Sequence, residues 1–260
     1  MKWGGIMNYD RREIIKAQLI KNGIVYLNDL CKQFPSVSSM TIRRDLELLE
    51  HTGLAVKIRG GAKFVNTFSN VSEPDFIQRI GENIDAKMKI AKVALSYIET
   101  GRSVYLDSGT TIMCLATLLP DIRLSILTSG PNIALEILKK HTPSVNIIGG
   151  NINRDNLSVS GALALNVLKG INIDIAFISP SGFSFTGGFT CGNNAECEVK
   201  KAIIKKANRT ILLMDSNKID KSLPFTFALL KDIDIIITDN PLSDSLKKVA
   251  IKANTTIILA

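Results

Sequence analysis

Apolar positions near the start of the chain recur at helical spacing in three short runs. Ile14, Ile15, Leu19 and Ile20 fall on one face of a helix over 11–21, closed by Asn22-Gly23. After the apolar stretch Ile24-Val25-Tyr26, a second helix is expected, with Asn28 as its cap and Leu27, Leu30 and Phe34 turned inward. Pro35-Ser36 breaks the pattern. Ser38 then caps a third helix, in which Ile42, Leu46 and Leu49 share a face and which Gly53 stops. Residues 54–65 alternate around Gly60-Gly61, as a two-stranded ribbon does. The first six residues read as a leader, with Met7 an alternative to Met1 as the start.

Residues 66–84 are polar, contain Pro74 and read as a linker. From residue 85 the period changes. Short β-branched runs at 103–106, 124–127, 145–148, 173–178, 210–214, 233–238 and 255–259 alternate with helical stretches, among them 87–98, 132–140, 196–207 and 243–252. Strand–helix alternation predicts a doubly wound, mostly parallel α/β sheet. Three short helices followed by a ribbon predict a winged helix-turn-helix. The expected organisation is therefore a winged helix-turn-helix over 8–65, a linker over 66–84 and an α/β domain over 85–260.

Length agrees with two domains, since 260 residues exceed the usual domain of about 100–200. Charge separates them. Residues 1–65 hold 11 Lys and Arg against 6 Asp and Glu, out of 32 and 24 in the whole chain. More than half of the net +8 thus sits on a quarter of the chain, which suits a polyanion-binding module. On charge alone, a merely soluble basic surface explains the excess equally well. No apolar run reaches the roughly 18 residues of a membrane span, and no secretion signal is legible. Cys31, Cys114, Cys191 and Cys197 have no CxxC spacing, so they read as free thiols of a cytoplasmic protein rather than metal ligands or disulfides.

The third helix carries the first candidate chemistry. With Ile42, Leu46 and Leu49 facing inward, Ser38, Ser39, Met40, Thr41, Arg43 and Arg44 are left at its exposed N-terminal end. That end meets base edges in the major groove when such a module docks on DNA. Arg bridges guanine O6 and N7, and hydroxyls suit bases or phosphates. Arg43 and Arg44 are adjacent, hence about 100° apart around the helix; one is expected on a base and the other on a phosphate. Asp45 is expected to orient an arginine or to sit away from the groove. Lys57, Arg59 and Lys63 on the ribbon are placed to grip flanking backbone. Alone, the two arginines would read as a solvated helix face. The string VSSMTIRRDLELLEHTGLAVKIRGGA, residues 37–62, changes that reading. It resembles the DNA-binding signature of the DeoR family of bacterial repressors, a VS-x-x-TIRRDL-x-x-L helix followed by a Gly and a Gly-Gly-Ala wing. The turn carries an extra residue at Pro35-Ser36, and the wing has Lys57 and Arg59 where the family often has Arg and His.

The second candidate site begins at VYLDSGTTIMCLA, residues 104–116. An apolar strand runs into Asp107-Ser108-Gly109-Thr110-Thr111 and a helix follows, which leaves backbone N–H groups and hydroxyls free to meet an anion such as phosphate. There is no Walker G-K-[ST] ending and no GxGxxG. An ordinary polar turn with Asp107 as cap is the plain alternative. Ser129, Gly149-Gly150, Gly182, and Asp215 with Lys218 follow other strand ends and are expected in the same crevice. Lys218 would supply the charge for phosphate, and Asp107 and Asp215 would accept sugar hydroxyls. DSGTT, the Gly149-Gly150 pair, Gly161-Ala162, GGFT at 187–190, Glu198-Val199-Lys200 and DSNK at 215–218 resemble the DeoR-family sensor domain. That domain is similar in fold to ribose-5-phosphate isomerase, glucosamine-6-phosphate deaminase and the CoA transferases. The resemblance implies a repressor of carbohydrate catabolism, binding operator DNA as a homo-oligomer and answering to a phosphorylated sugar, with no cofactor or metal. The competing class is a sugar-phosphate isomerase or deaminase with a DNA-binding appendage, for which Asp107, Glu196 and Glu198 are the available carboxylates. His51 and His141 are expected to face solvent, away from the crevice.

Overall fold

A computed structural model describes residues 4–51, 55–64 and 76–260. The chain divides into two compact units, one ending at Asn70 and the other beginning at Val71. In the first, α1 (Gly4–Asn22), α2 (Leu27–Gln33) and α3 (Ser39–His51) surround a small core of Ile15, Leu19, Leu30, Ile42, Leu46 and Leu49. The ribbon is wider than its sequence suggested. β1 (Ile24–Tyr26) joins β2 (Ala55–Ile58) and β3 (Gly61–Phe64) in an antiparallel sheet of order β1-β3-β2. Gly61 makes this possible: a Cβ there would stand 2.1 Å from the Val25 carbonyl oxygen.

Local details depart from the sequence reading in three places. The N-cap of α2 is Tyr26, with no side-chain bond, so Asn28 does not cap it. Ile14, expected with the buried face of α1, is 43% exposed. Gly53 and residues 65–75 of the ribbon end and linker lie outside the described residues. Within the stretch read as linker, 76–81 is instead a helix, α4 (Phe76–Gly81), anchored by a buried Phe76 whose N–H donates to the Asp155 carbonyl at 2.7 Å.

The second unit continues with α5 (Ile84–Ala94), β4 (Ser103–Leu106), α6 (Thr110–Leu118), β5 (Ser125–Thr128), α7 (Pro131–Ile137) and β6 (Ser144–Ile147). A small hairpin, β7 (Asn151–Ile152) and β8 (Val159–Ser160), leads to α8 (Ala162–Leu168) and β9 (Ile173–Ile178). Then come β10 (Gly182–Ser184), β11 (Gly188–Cys191), α9 (Asn194–Lys206), β12 (Ala207–Leu213), β13 (Phe225–Ala228), β14 (Ile235–Thr238), α10 (Asp244–Lys252) and β15 (Thr256–Leu259). Seven strands form one parallel sheet in the order β15-β14-β12-β9-β4-β5-β6. Its apolar runs are buried on both faces. Val104, Leu106, Ile175 and Phe177 pack to one side, Tyr105, Ala176 and Ile178 to the other. That two-sided burial is why these strands read as continuous hydrophobic segments. The β10-β11-β13 sheet was not legible in the pattern.

From β4 the chain winds outward to β5 and β6, then returns to the other flank of β4 as β9 and winds the opposite way. The winding reverses between β4 and β9. Ligands of open α/β sheets lie outside the carboxyl ends of strands at such a reversal. Among the described residues no helix is long and apolar enough to cross a membrane.

Candidate functional site

Two regions carry the chemistry, one in each unit. In the first, Ser38 begins α3 as expected. Its Oγ accepts the Thr41 N–H at 3.2 Å and lies 2.9 Å from the Thr41 hydroxyl. Ser38, Ser39, Met40, Arg43 and Arg44 are exposed, and Thr41 is half-buried. Arg43 borders a groove between α3 and the wing, together with Glu47, Glu50 and Lys57. Arg44 is not among the residues of that groove and lies in a neighbouring surface hollow with Glu47, Leu48 and Glu50. Asp45 does orient an arginine, but from another helix. Buried, it accepts from Arg11 Nε at 2.6 Å and stands 3.3 Å from Arg12 Nε. It thus fastens α3 to α1 and is withdrawn from the surface. Lys57 is less available than the sequence suggested: its N–H donates to Glu50 Oε1 at 3.0 Å, and its ammonium stands 3.6 Å from Glu47. Arg59 and Lys63 are exposed.

In the second unit, a polar crevice opens at the winding reversal. Ser108, Gly109 and Thr110 follow β4; Ser179, Pro180 and Ser181 follow β9; Lys218 follows β12. The N-terminus of α6, at Gly109 and Thr110, borders this space, and a helix dipole favours an anion at that end. Gly109 is needed for closeness: a Cβ there would stand 2.9 Å from the Ser179 Cβ. Arg79 of α4 completes the rim; it is 7% exposed and was not foreseen, because its helix was read as linker.

The floor is a buried charge network. Asp107, 1% exposed, joins the two strand ends by accepting the Ser179 N–H at 3.0 Å on Oδ2. The Lys200 ammonium, from α9, donates to the same carboxylate and to the Ser179 carbonyl at 3.0 Å, and it lies 3.2 Å from Glu196. Glu196 in turn accepts from Asn156 Nδ2 at 2.6 Å. Lys200 also sits 5.3 Å above the Phe227 ring. Burial alone would push its pKa down, but Asp107, then Glu196 and Cys191, more than reverse this and hold it raised. Burial pushes the neighbouring Tyr105 hydroxyl and Cys191 thiol up as well. The sequence carried a trace of this network, since Glu196 and Lys200 are an i, i+4 pair of opposite charge.

Other expected residues go elsewhere. Thr111 is buried within α6. Ser129 lies beneath the floor, accepting from Tyr105 Oη at 2.9 Å and 3.5 Å from Asp107 Oδ1. Gly149-Gly150 lies at the β6–β7 connection, where a Cβ on Gly150 would meet the Ser160 carbonyl at 2.4 Å. Gly182 abuts the Lys221 carbonyl in the same way, at 2.6 Å. The absence of a side chain at Gly150 and Gly182 thus serves close backbone packing. Asp215 is buried on the sheet face that carries α5, and neither carboxylate oxygen has a hydrogen-bond partner. The nearby Lys87 is likewise buried and donates to the Arg79 carbonyl. Burial holds its pKa below normal; Arg79 adds to that lowering, and Asp215, Cys114 and Glu82 oppose it. Glu198 is exposed and paired with Lys201 at 2.9 Å. His141 is exposed, and the His51 side chain lies outside the described residues. All four cysteines are free.

Comparison with known proteins gives the same two-part division. A model of the DeoR C-terminal sensor domain matches residues 82–240, and one of the DeoR-like helix-turn-helix domain matches 11–68. The regulator GolR of Listeria innocua is 31% identical, covering 92% of this chain and 94% of its own. The regulator IolR of Bacillus subtilis is 34% identical over 92% and 94%. A putative aga operon transcriptional repressor of Escherichia coli O157:H7 is 31% identical over 96% and 93%. Among solved structures, ribose 5-phosphate isomerase A from Methanocaldococcus jannaschii superposes with a TM-score of 0.40 at 18% identity, over 53% of this chain and 55% of that one. Both parts of the chain and its near full-length relatives agree: it belongs to the DeoR family of helix-turn-helix transcriptional regulators.

Proposed function

We propose that the chain is a cytoplasmic repressor of a carbohydrate-catabolism operon, working as a homo-oligomer of at least two copies and released from its operator by a phosphorylated sugar. The observation that carries the effector reading is the crevice at the β4/β9 reversal, where an α6 N-terminus, the hydroxyl residues Ser108, Thr110, Ser179 and Ser181, Arg79 and Lys218 converge. A phosphate suits that donor set, and the polar floor suits the hydroxyls of a sugar. The DNA reading is supported by the exposed N-terminal end of α3, with Arg43 and Arg44 beyond a Ser38 cap. Two copies follow from the way such modules read paired half-sites. Release is driven by the effector's differential affinity for the free and operator-bound states.

The same residues argue against turnover. Moving a proton beside a carbonyl needs a base free to take it. Asp107 and Glu196 both face Lys200, and Glu196 also holds Asn156, so neither carboxylate is uncommitted. A gel-shift titration on the DNA upstream of the chain's own gene, with pentose and hexose phosphates, checks the proposal. One of them is expected to weaken the shift, with no change in the sugar phosphate after incubation. Turnover at ordinary enzyme rates would overturn the sensor reading in favour of an isomerase or deaminase.

A further inference from the structure

Arg79 lies outside the stretch matched as sensor domain, which starts at residue 82. It belongs to α4, the first described element after the wing in chain order. Six residues make too short a helix to stand alone. α4 is held by its contacts: Phe76 is buried, its N–H meets the Asp155 carbonyl at 2.7 Å, and Lys87 donates to the Arg79 carbonyl. Asp155 adjoins Asn156, which lines the crevice and binds Glu196. Arg79 lines the same crevice as Ser108, Gly109 and Thr110. Two cations, Arg79 and Lys218, therefore flank one helix N-terminus, but they differ in what they are attached to. Lys218 sits on a loop of the main sheet. Arg79 sits on a marginal element where the chain enters this unit.

We propose that Arg79 is a direct ligand of the anion in the crevice, and that the anion, by engaging it, fastens α4 to the start of α6. This rests on the phosphate reading above and adds the route by which occupancy is felt outside the crevice. A guanidinium takes phosphate through two parallel N–H bonds, so the anion fixes the orientation of the side chain as well as its charge. Fixing Arg79 fixes its helix. A marginal element whose docking depends on a ligand is one whose population the ligand shifts.

The test uses the full chain, with ribose 5-phosphate, glucose 6-phosphate and inorganic phosphate as probes. Affinity is measured by calorimetry, and amide hydrogen exchange is followed over residues 76–84 at saturating probe. In the unmodified protein the best probe is expected to slow exchange over 76–84. Arg79→Met is expected to weaken binding at least tenfold. Arg79→Lys, which keeps the charge without the planar fork and stands in if Arg79→Met fails to fold, is expected to bind several-fold more weakly and to lose most of the protection when saturated. Lys218→Met is expected to weaken binding yet keep that protection once saturated. Unchanged affinity in both Arg79 variants, or full protection of 76–84 in Arg79→Lys, would overturn the proposal. An unmodified protein that binds none of the probes overturns the phosphate reading itself, and this inference with it. Binding that is intact while Arg79 proves irrelevant leaves the phosphate reading standing and removes only the role of α4.

Discussion

Two buried lysines set opposite demands on the sensor unit. Lys200 is matched by Asp107 and Glu196, and removing it strands two carboxylates in a site of very low exposure. Breaking a buried pair from one side costs about 3–5 kcal/mol. Lys200→Met is therefore expected to lower the melting temperature of the sensor unit by roughly 6–20 °C, and adding Asp107→Asn to restore part of it, which differential scanning calorimetry checks. At Lys87 the opposing charge, Asp215 foremost, does not outweigh burial. The folded pKa of Lys87 lies below 10.5 because burial penalises the ammonium. The unfolded chain thus binds more protons between the folded pKa and 10.5, and stability rises with pH across that window. The difference in melting temperature between the natural chain and Lys87→Met is expected to shift in favour of the natural chain as pH rises there. For Lys200, raised above 10.5, the contribution is complete below 10.5 and is lost only as pH rises through the folded value, so it adds no slope across the Lys87 window. Sequence showed Asp107 but not its partner. DSGTT is contiguous, whereas Lys200 stands 93 positions away and meets Asp107 through the packing of α9 against β9, the neighbour of β4 in the sheet.

Legibility at the scale of elements follows from how local their causes are. α3 was readable from its cap, its apolar face and its arginines, all within one short stretch, and the structure keeps Ser38 as the cap. The long strands were readable because burial on both faces makes them uniformly apolar. β1 was not read as a wing strand, because its pairing with β3 is set by a glycine 36 positions on, at Gly61. α4 was missed because six residues with a single buried aromatic give no helical period. The wing also qualifies the expected DNA contacts. Arg43 stands in the groove between α3 and the wing with its side chain exposed, while Lys57 is partly engaged by Glu47. Arg43→Ala is expected to cost about 1–3 kcal/mol of operator affinity and to leave binding to unrelated DNA little changed. Lys57→Ala is expected to weaken both alike and to reduce the slope of log affinity against log salt by about one. Fluorescence anisotropy on operator and scrambled duplexes over a salt series separates the two. Loss of operator preference from Lys57→Ala alone would reverse the assignment.

At the scale of the whole molecule, the buried apolar residues among those described fall into two separate sets, one under the winged helix and one lining both faces of the parallel sheet, with no residue in common. Each set supports its own unit, and each unit has its own expected ligand of the same sign. A quarter of the acidic residues but a third of the basic ones lie in residues 1–65, so the polyanion and the small anion draw on different parts of the charge. Linkage makes this testable without a structure of either complex. A ligand that binds only the folded form stabilises it by about 2.7 kcal/mol at a hundred times its dissociation constant. Scanning calorimetry of the full chain is expected to resolve two transitions, with operator duplex raising one and the effective sugar phosphate raising the other. Adding both together is the decisive measurement. If the effector acts by releasing DNA, the stabilisation from the pair falls short of the sum of the two alone, and the shortfall equals the coupling free energy between the sites. Additive stabilisation would mean that the two units bind independently, and a surplus would mean that the metabolite promotes operator binding.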